Sequence, residues 1–282
     1  MSETQFATDL TVTGLRKLCT VPVGLWGSDS PVSYDQSYPL HVGLHSFTSG
    51  LERLCKLAIS CHGYVTAEAF PPLRKRYGHR IGGLLDAVEA LDLSQVNAVQ
   101  SQPSSRPKDD LGPGLTEMLE RFANGSGRYE HLDSLSDPHS AVSTLETWSN
   151  LCSGVTVSEH VKEMLAIRMA SVNAIRDLCT AGEVEASTYS LIDHVDQPLF
   201  EPSIGVSLKL YRTASWVASI LNLVTYYTSQ ELPLLGEAVQ DLYPPADRFF
   251  QYTIAQVEDE SIATEELREH FARALPPSDD DF

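Results

Sequence analysis

From Leu40 onward the apolar positions recur at helical spacing. Leu40, Leu44, Phe47, Leu51, Leu54, Cys55 and Ala58 fall within about 120° of one face, and His41, His45, Glu52 and Lys56 occupy the other side. This pattern predicts an amphipathic helix with an unbroken stripe. A second helix is predicted from His79 or Arg80 through Leu84, Leu85, Val88 and Leu91. Further on, the sequence predicts a short helix ending near Asn124-Gly125, a loop, and a helix carrying Trp148, with Pro138 suited to its start. Two longer stripes follow, over 157–182 and 203–229. In the last, Val206, Leu210, Val217, Ile220, Leu221 and Val224 share one face, and Trp216, Leu223 and Tyr227 widen it. A helix so broadly apolar is expected to be central. Strand-like alternation is rare and no internal repeat is visible. The pattern predicts an all-α fold, a helical bundle with additional C-terminal helices.

The break in this pattern is "SQPSSRPKDDLGPG", residues 101–114, with three prolines and two glycines in polar filler. It divides the chain into a helical part over 1–100, a linker or long loop over 101–114, and the remaining helices over 115–275, in the same domain or a second one. Residues 276–282, ending "SDDDF", read as an acidic disordered tail.

Composition narrows the function classes. The 282 residues carry 20 Lys and Arg against 38 Asp and Glu, a net charge of −18. That excess argues against a broad DNA-binding surface, because phosphate binding draws on many cations, yet it leaves room for a local basic site. Five cysteines are scattered without a C-x-x-C pair, which fits a reducing, cytoplasmic setting and gives no zinc or redox motif. No basic-then-apolar leader opens the chain, and no apolar run approaches the roughly 20 residues that cross a bilayer. No membrane partner is expected. Nucleotide-binding, dinucleotide-binding and common hydrolase motifs are absent, so no cofactor is expected.

One stretch stands against the acidic background. "PPLRKRYGHRIGGLL", residues 71–85, places Arg74, Lys75, Arg76 and Arg80 around His79 with no carboxylate among them until Asp86. A metal-free RNA cleavage site needs a group to move the 2′-hydroxyl proton and a cation to hold charge on phosphorus. His79 and Arg74 have those chemistries, and a helix N-terminus beside them would favour an anion. Lys75, Arg76 and Arg80 would then bind substrate. The spacing itself carries little weight, since chance gives about one such Arg-His pair in a chain of this composition. A solvated basic loop is the competing reading.

Two passages resemble a known family. "HVGLHSFTSGLERLCKLAI" followed by "YGHRIGGLL" is similar to the paired helix motifs of HEPN-like bacterial proteins, and "RFANGSGRYEHLDSL" with Trp148 downstream resembles a further stretch of that group. The resemblance covers roughly residues 40–150. It implies a helical bundle, a homodimer, and an association with antiviral defence or toxin-antitoxin systems. Active members are metal-independent ribonucleases that use an Arg followed a few residues later by a His, a pattern that Arg74 and His79 meet. Other members are non-catalytic binding or regulatory modules, so an RNA or a protein partner is implied.

Other candidates are weaker. Arg128, Tyr129 and His131 in "GRYEH" could hold a phosphate and stack a base, or could pack locally and pair with Asp133. His41 and His45 stand one helical turn apart with Glu52 nearby, a spacing that can ligate a metal, but no second helix offers partners and two surface histidines are the expectation. Arg168 falls on the apolar stripe of the 157–182 segment, which predicts a buried structural pair or an Arg reaching into an interface. The functional expectation is therefore a HEPN-like protein acting as a metal-independent ribonuclease, with a non-catalytic interaction module of acidic surface as the alternative.

Overall fold

In a computed structural model the structure describes residues 2–23, 34–96, 105–108, 113–125, 127, 143–157, 159, 162, 165–166, 199–226, 235, 238–239 and 242; for Arg74 this is the backbone alone. The described elements are α1 (Ser2–Cys19), α2 (Tyr34–Ala67), α3, a single turn (Leu73–Arg76), α4 (Ile81–Glu89), α5 (Pro113–Ala123), α6 (Thr144–Ser153) and α7 (Glu201–Tyr226), with one 3₁₀ turn at Leu93–Gln95. No strand occurs among them. The protein is an all-α bundle, as the hydrophobic pattern predicts. No described helix is long and apolar enough to cross a membrane.

The predicted stripe of α2 is the spine of the core: Leu40, Leu44, Phe47, Leu51, Leu54, Cys55 and Ala58 are each fully buried. They share one continuous cluster with Ile81, Leu84, Leu85 and Val88 of α4, Met118 and Phe122 of α5, Trp148 of α6 and Val206 to Val224 of α7. α7 is buried on nearly every side from Ser203 to Leu208 and packs against α1, α2, α4 and α6. At its start Ser203 Oγ donates to the Val21 carbonyl at 2.7 Å and accepts from the Trp148 ring N–H at 3.1 Å. That relay satisfies the polar edge of a fully buried Trp and fastens α6 and α7 to the chain leaving α1.

α1 is an element the hydrophobic pattern does not announce. It lies antiparallel against α2 through small residues: a Cβ at Gly14 would sit 2.4 Å from the Phe47 backbone nitrogen, and one at Gly50 would sit 2.3 Å from Thr11 Oγ1. Thr4, Thr8 and Thr11 of α1 are buried, and Thr11 is the one that meets Gly50. Thr8 and Thr11 satisfy their hydroxyls by donating to the carbonyls of Thr4 and Ala7, at 3.1 and 2.8 Å. The two backbones therefore meet closely without an apolar stripe on α1.

α2 stops at Glu68, whose φ is +50°, and the chain doubles back along its own helix. Phe70 stacks on Tyr64 with ring centroids 5.0 Å apart, and the Pro71 ring lies against Gly63. Gly78, at φ +58°, then turns the chain into α4 at the level of Glu52. α4 runs in the same direction as α2, so that His62 of α2 meets the Asp92 carbonyl at 3.0 Å beyond its end. This return path sets the position of His79.

α4 begins at Ile81 with Arg80 as N-cap, in agreement with the predicted start. α5 ends at Ala123 before Gly125, at φ +93°, also as the sequence predicts. α6 starts instead at Ser143, whose side chain accepts from the Glu146 amide, while Pro138 lies outside the described residues. Within the proline-rich stretch, Arg106 grips α4 by donating to Asp86 at 2.7 Å and to Glu89 at 3.3 Å. Arg168, Cys179, Tyr227 and the acidic tail lie outside the described residues.

Candidate functional site

The turn from Gly78 to Arg80 presents His79 to the polar flank of α2, where Glu52 and Lys56 stand one helical turn apart. His79 Nδ1 lies 3.1 Å from both oxygens of Glu52, and Lys56 Nζ donates to Glu52 Oε1 at 2.5 Å. The carboxylate is largely sheltered, with its side chain 14% exposed, whereas the imidazole is 62% exposed. A carboxylate accepting at Nδ1 makes that nitrogen the donor and leaves Nε2 turned away from Glu52. Nε2 has no protein partner among the described residues. A histidine oriented by a carboxylate, with its other nitrogen toward solvent, is the arrangement of a general acid or base.

The imidazole borders an open groove of about 660 Å³ between α1, α2 and the turn before α4. Glu3 and Phe6 line it from α1, and His45, Ser49, Arg53 and Lys56 line it from α2. Arg53 Nη1 donates to Glu3, and its guanidinium lies over the Phe6 ring at 5.0 Å. Both groove cations are thus paired with acids of the same groove.

The basic residues around His79 are arranged differently from one another. Arg80 donates to the Arg76 carbonyl at 3.1 Å and to the Tyr77 carbonyl at 3.5 Å, holding its guanidinium over the turn. The Arg76 guanidinium stacks on the Tyr77 ring at 5.2 Å. Lys75 is exposed. None of these three lines the groove, which among the described side chains of the basic run takes only His79. Arg74 belongs to α3, and Arg128, Tyr129 and His131 lie outside the described residues.

The N-terminus of α4 is met by this chain itself. The Gly82 amide donates to Glu120 Oε1 of α5 at 3.0 Å, and a Cβ at Gly82 would come within 3.1 Å of that oxygen. Gly82 makes room for a carboxylate that occupies the position where the helix dipole would favour a phosphate. An anionic ligand near His79 must therefore draw on side chains of the groove.

The two histidines of α2 separate in role. His41 is half-buried, with Nδ1 2.8 Å from the Ser37 carbonyl and its ring 5.5 Å from that of Phe122 on α5, so it is not the surface residue that its position on the polar side suggests. His45 is exposed at the groove. Among the described residues no three His, Cys, Asp or Glu side chains gather as a metal site would require.

Arg53, Lys56, Phe6 and Glu120 are not legible from the sequence as site residues, and Glu52 enters it only beside His41 and His45, not as a partner of His79. Glu52 and Lys56 read as an ordinary i,i+4 pair on a helix flank, and nothing in the local pattern couples them to a histidine 27 residues on. No family model, curated protein or solved structure matches the chain. What the fold and the groove define is a class only: an all-α bundle with a carboxylate-oriented histidine at an open groove.

Proposed function

We propose that the chain is a HEPN-like helical protein of the defence- or toxin-associated kind, whose groove cleaves RNA without a metal ion. The observation that carries this reading is the Glu52–His79 pair, with His79 Nδ1 held 3.1 Å from the carboxylate and Nε2 left open at the groove. It joins the two halves of the first passage that carries the family resemblance, the "GLERLCKL" helix and the "YGHRIGGLL" turn. In this scheme His79 Nε2 takes the proton of a 2′-hydroxyl or returns one to the leaving oxygen. Glu52 holds the ring and balances the imidazolium as it forms, and the cationic groove side chains offset charge developing on the phosphate.

The test is cleavage of a single-stranded RNA by purified protein in the presence of a chelator, for wild type and His79→Ala. Wild type is expected to cleave, with the rate falling by at least about 100-fold in the variant. Cleavage that survives the substitution unchanged removes His79 from the chemistry.

A second reading has its own observation. Lys56 and Arg53 are each held by a groove carboxylate in a chain of net charge −18. In a non-catalytic interaction module, the Glu52–His79 contact would serve to pin the α3–α4 turn onto α2. That reading expects intact RNA with both proteins and a lowered melting temperature for His79→Ala.

A further inference from the structure

The groove has a second end, across α2 from His79, that the chemistry of proton transfer does not use. There Phe6 of α1 is 48% exposed. Its ring carries the Arg53 guanidinium at 5.0 Å, and both residues line the groove that His79 borders. We propose that Phe6 and Arg53 form a nucleotide-binding platform, which stacks one unpaired base of a single-stranded RNA and holds the phosphate beside it. This rests on the ribonuclease reading of the groove and assigns it a base-binding end.

Three observations support it. An aromatic ring at a groove mouth offers a face on which any base can stack, and an adjoining guanidinium adds a planar cation, the combination that single-strand binding uses. Arg53 also keeps donors in reserve. Among the described residues its hydrogen bonding engages only Nη1, with Glu3, and the guanidinium has further N–H groups on Nε and Nη2. The Arg53–Glu3 pair is the more exposed of the two groove pairs, with side chains 41% and 54% accessible against 24% and 14% for Lys56 and Glu52. An exposed ion pair is weak and easily exchanged for a phosphate. Lys56 is expected to stay with Glu52 and keep the carboxylate aligned on His79, so that Arg53 is the mobile cation. The remaining wall is hydroxyl-rich, with Ser46, Ser49 and Ser60 able to meet ribose or base edges.

The two ends divide the labour: the platform binds, the dyad reacts. The experiment measures binding of a short fluorescent single-stranded RNA by anisotropy, beside its cleavage, for wild type, Phe6→Leu, Phe6→Tyr and His79→Ala. Leucine keeps the apolar contact with Arg53 and lacks a stacking face. Phe6→Leu is expected to weaken binding about tenfold. Phe6→Tyr keeps the stacking face and should bind like wild type, and His79→Ala, which loses cleavage, is read for binding without turnover. Wild type should also bind an abasic strand of the same length more weakly than the ordinary RNA. If wild type fails to bind RNA, or if a folded Phe6→Leu binds as tightly as wild type, the platform is overturned whatever the cleavage assay shows. Retained binding by wild type with no cleavage overturns the ribonuclease reading instead and leaves the platform standing. Circular dichroism of Phe6→Leu separates loss of binding from loss of fold. If leucine unfolds the helix pair, the abasic strand decides on unaltered protein, and equal binding of the two strands overturns the platform.

Discussion

Among the described side chains of its basic run, His79 reaches the groove while Lys75, Arg76 and Arg80 do not, and the reason is local. Gly78 adopts a φ of +58°, the left-handed region that a residue with a side chain rarely takes, and this swings the next residue toward α2 while Arg76 and Arg80 fold back over Tyr77. The basic cluster therefore reads as misplaced charge in sequence but is mostly self-satisfied in space. The cysteines behave in the opposite way, as apolar filling. Burial pushes the Cys55 and Cys152 thiols up to about 12 and Cys61 to about 11, from an ordinary value of 9.0. Below pH 9.0 each thiol is protonated in both the folded and unfolded chain, so its burial costs nothing in charge. As pH rises from there toward the folded values, the unfolded chain loses these protons first, and the native state loses stability. Urea midpoints should accordingly fall between about pH 8 and about pH 10.5. Thiol labelling read by mass spectrometry should find these three unmodified in native protein at neutral pH and modified in denaturant. Native labelling at the rate of a free thiol would contradict their burial.

At the scale of elements, legibility in the sequence follows from how each helix makes its contacts. α2, α4, α5 and α7 pack through Leu, Ile, Val and Phe at helical spacing, and that spacing alone conveys their presence and approximate limits. α1 is different. Its buried face is built from Thr4, Ala7, Thr8, Thr11, Gly14, Leu15, Leu18 and Cys19, with leucine only towards its end and small or polar residues before it, and it makes its contact at Gly14 and Gly50 by letting two backbones approach. Hydrophobic periodicity registers side-chain area and cannot register an interface made by its absence. The same closeness makes the hairpin sensitive to a single methyl group. Gly50→Ala places a Cβ 2.6 Å from the Thr11 amide nitrogen and 2.7 Å from the Ala7 carbonyl, atoms that cannot rotate away. It should destabilise the protein by about 1–3 kcal/mol, seen as a lower midpoint in denaturant titration. A matched control, Gly83→Ala, meets only the Arg80 Cβ at 3.8 Å and should cost much less. Equal midpoints for the two variants would show that α1 does not pack on α2 as closely as described.

For the whole molecule, the site exists because of the order in which the chain retraces itself. α2 runs out for 34 residues, the segment through Pro71 and Pro72 returns along it, and α4 sets off again in parallel. Glu52 and His79 meet only because that return ends at the level of Glu52, a distance in sequence that periodicity cannot convey. His79 stands out in the sequence as a reactive type among cations. Its carboxylate does not, because the i,i+4 spacing of Glu52 and Lys56 already accounts for both as a surface pair. The net charge of −18 is likewise a property of the exterior at large and does not convey that two groove cations are each matched with an acid. The central claim is that Glu52 and His79 act as one unit, the carboxylate working through the imidazole. A double-mutant cycle on metal-free RNA cleavage, with Glu52→Gln, His79→Ala and the double variant, tests it most directly. The expected result is a slowing of about 10-fold or more for Glu52→Gln, a larger loss for His79→Ala, and a double variant no slower than His79→Ala. Losses that multiply in the double variant, or a Glu52→Gln protein that cleaves like wild type, would contradict it.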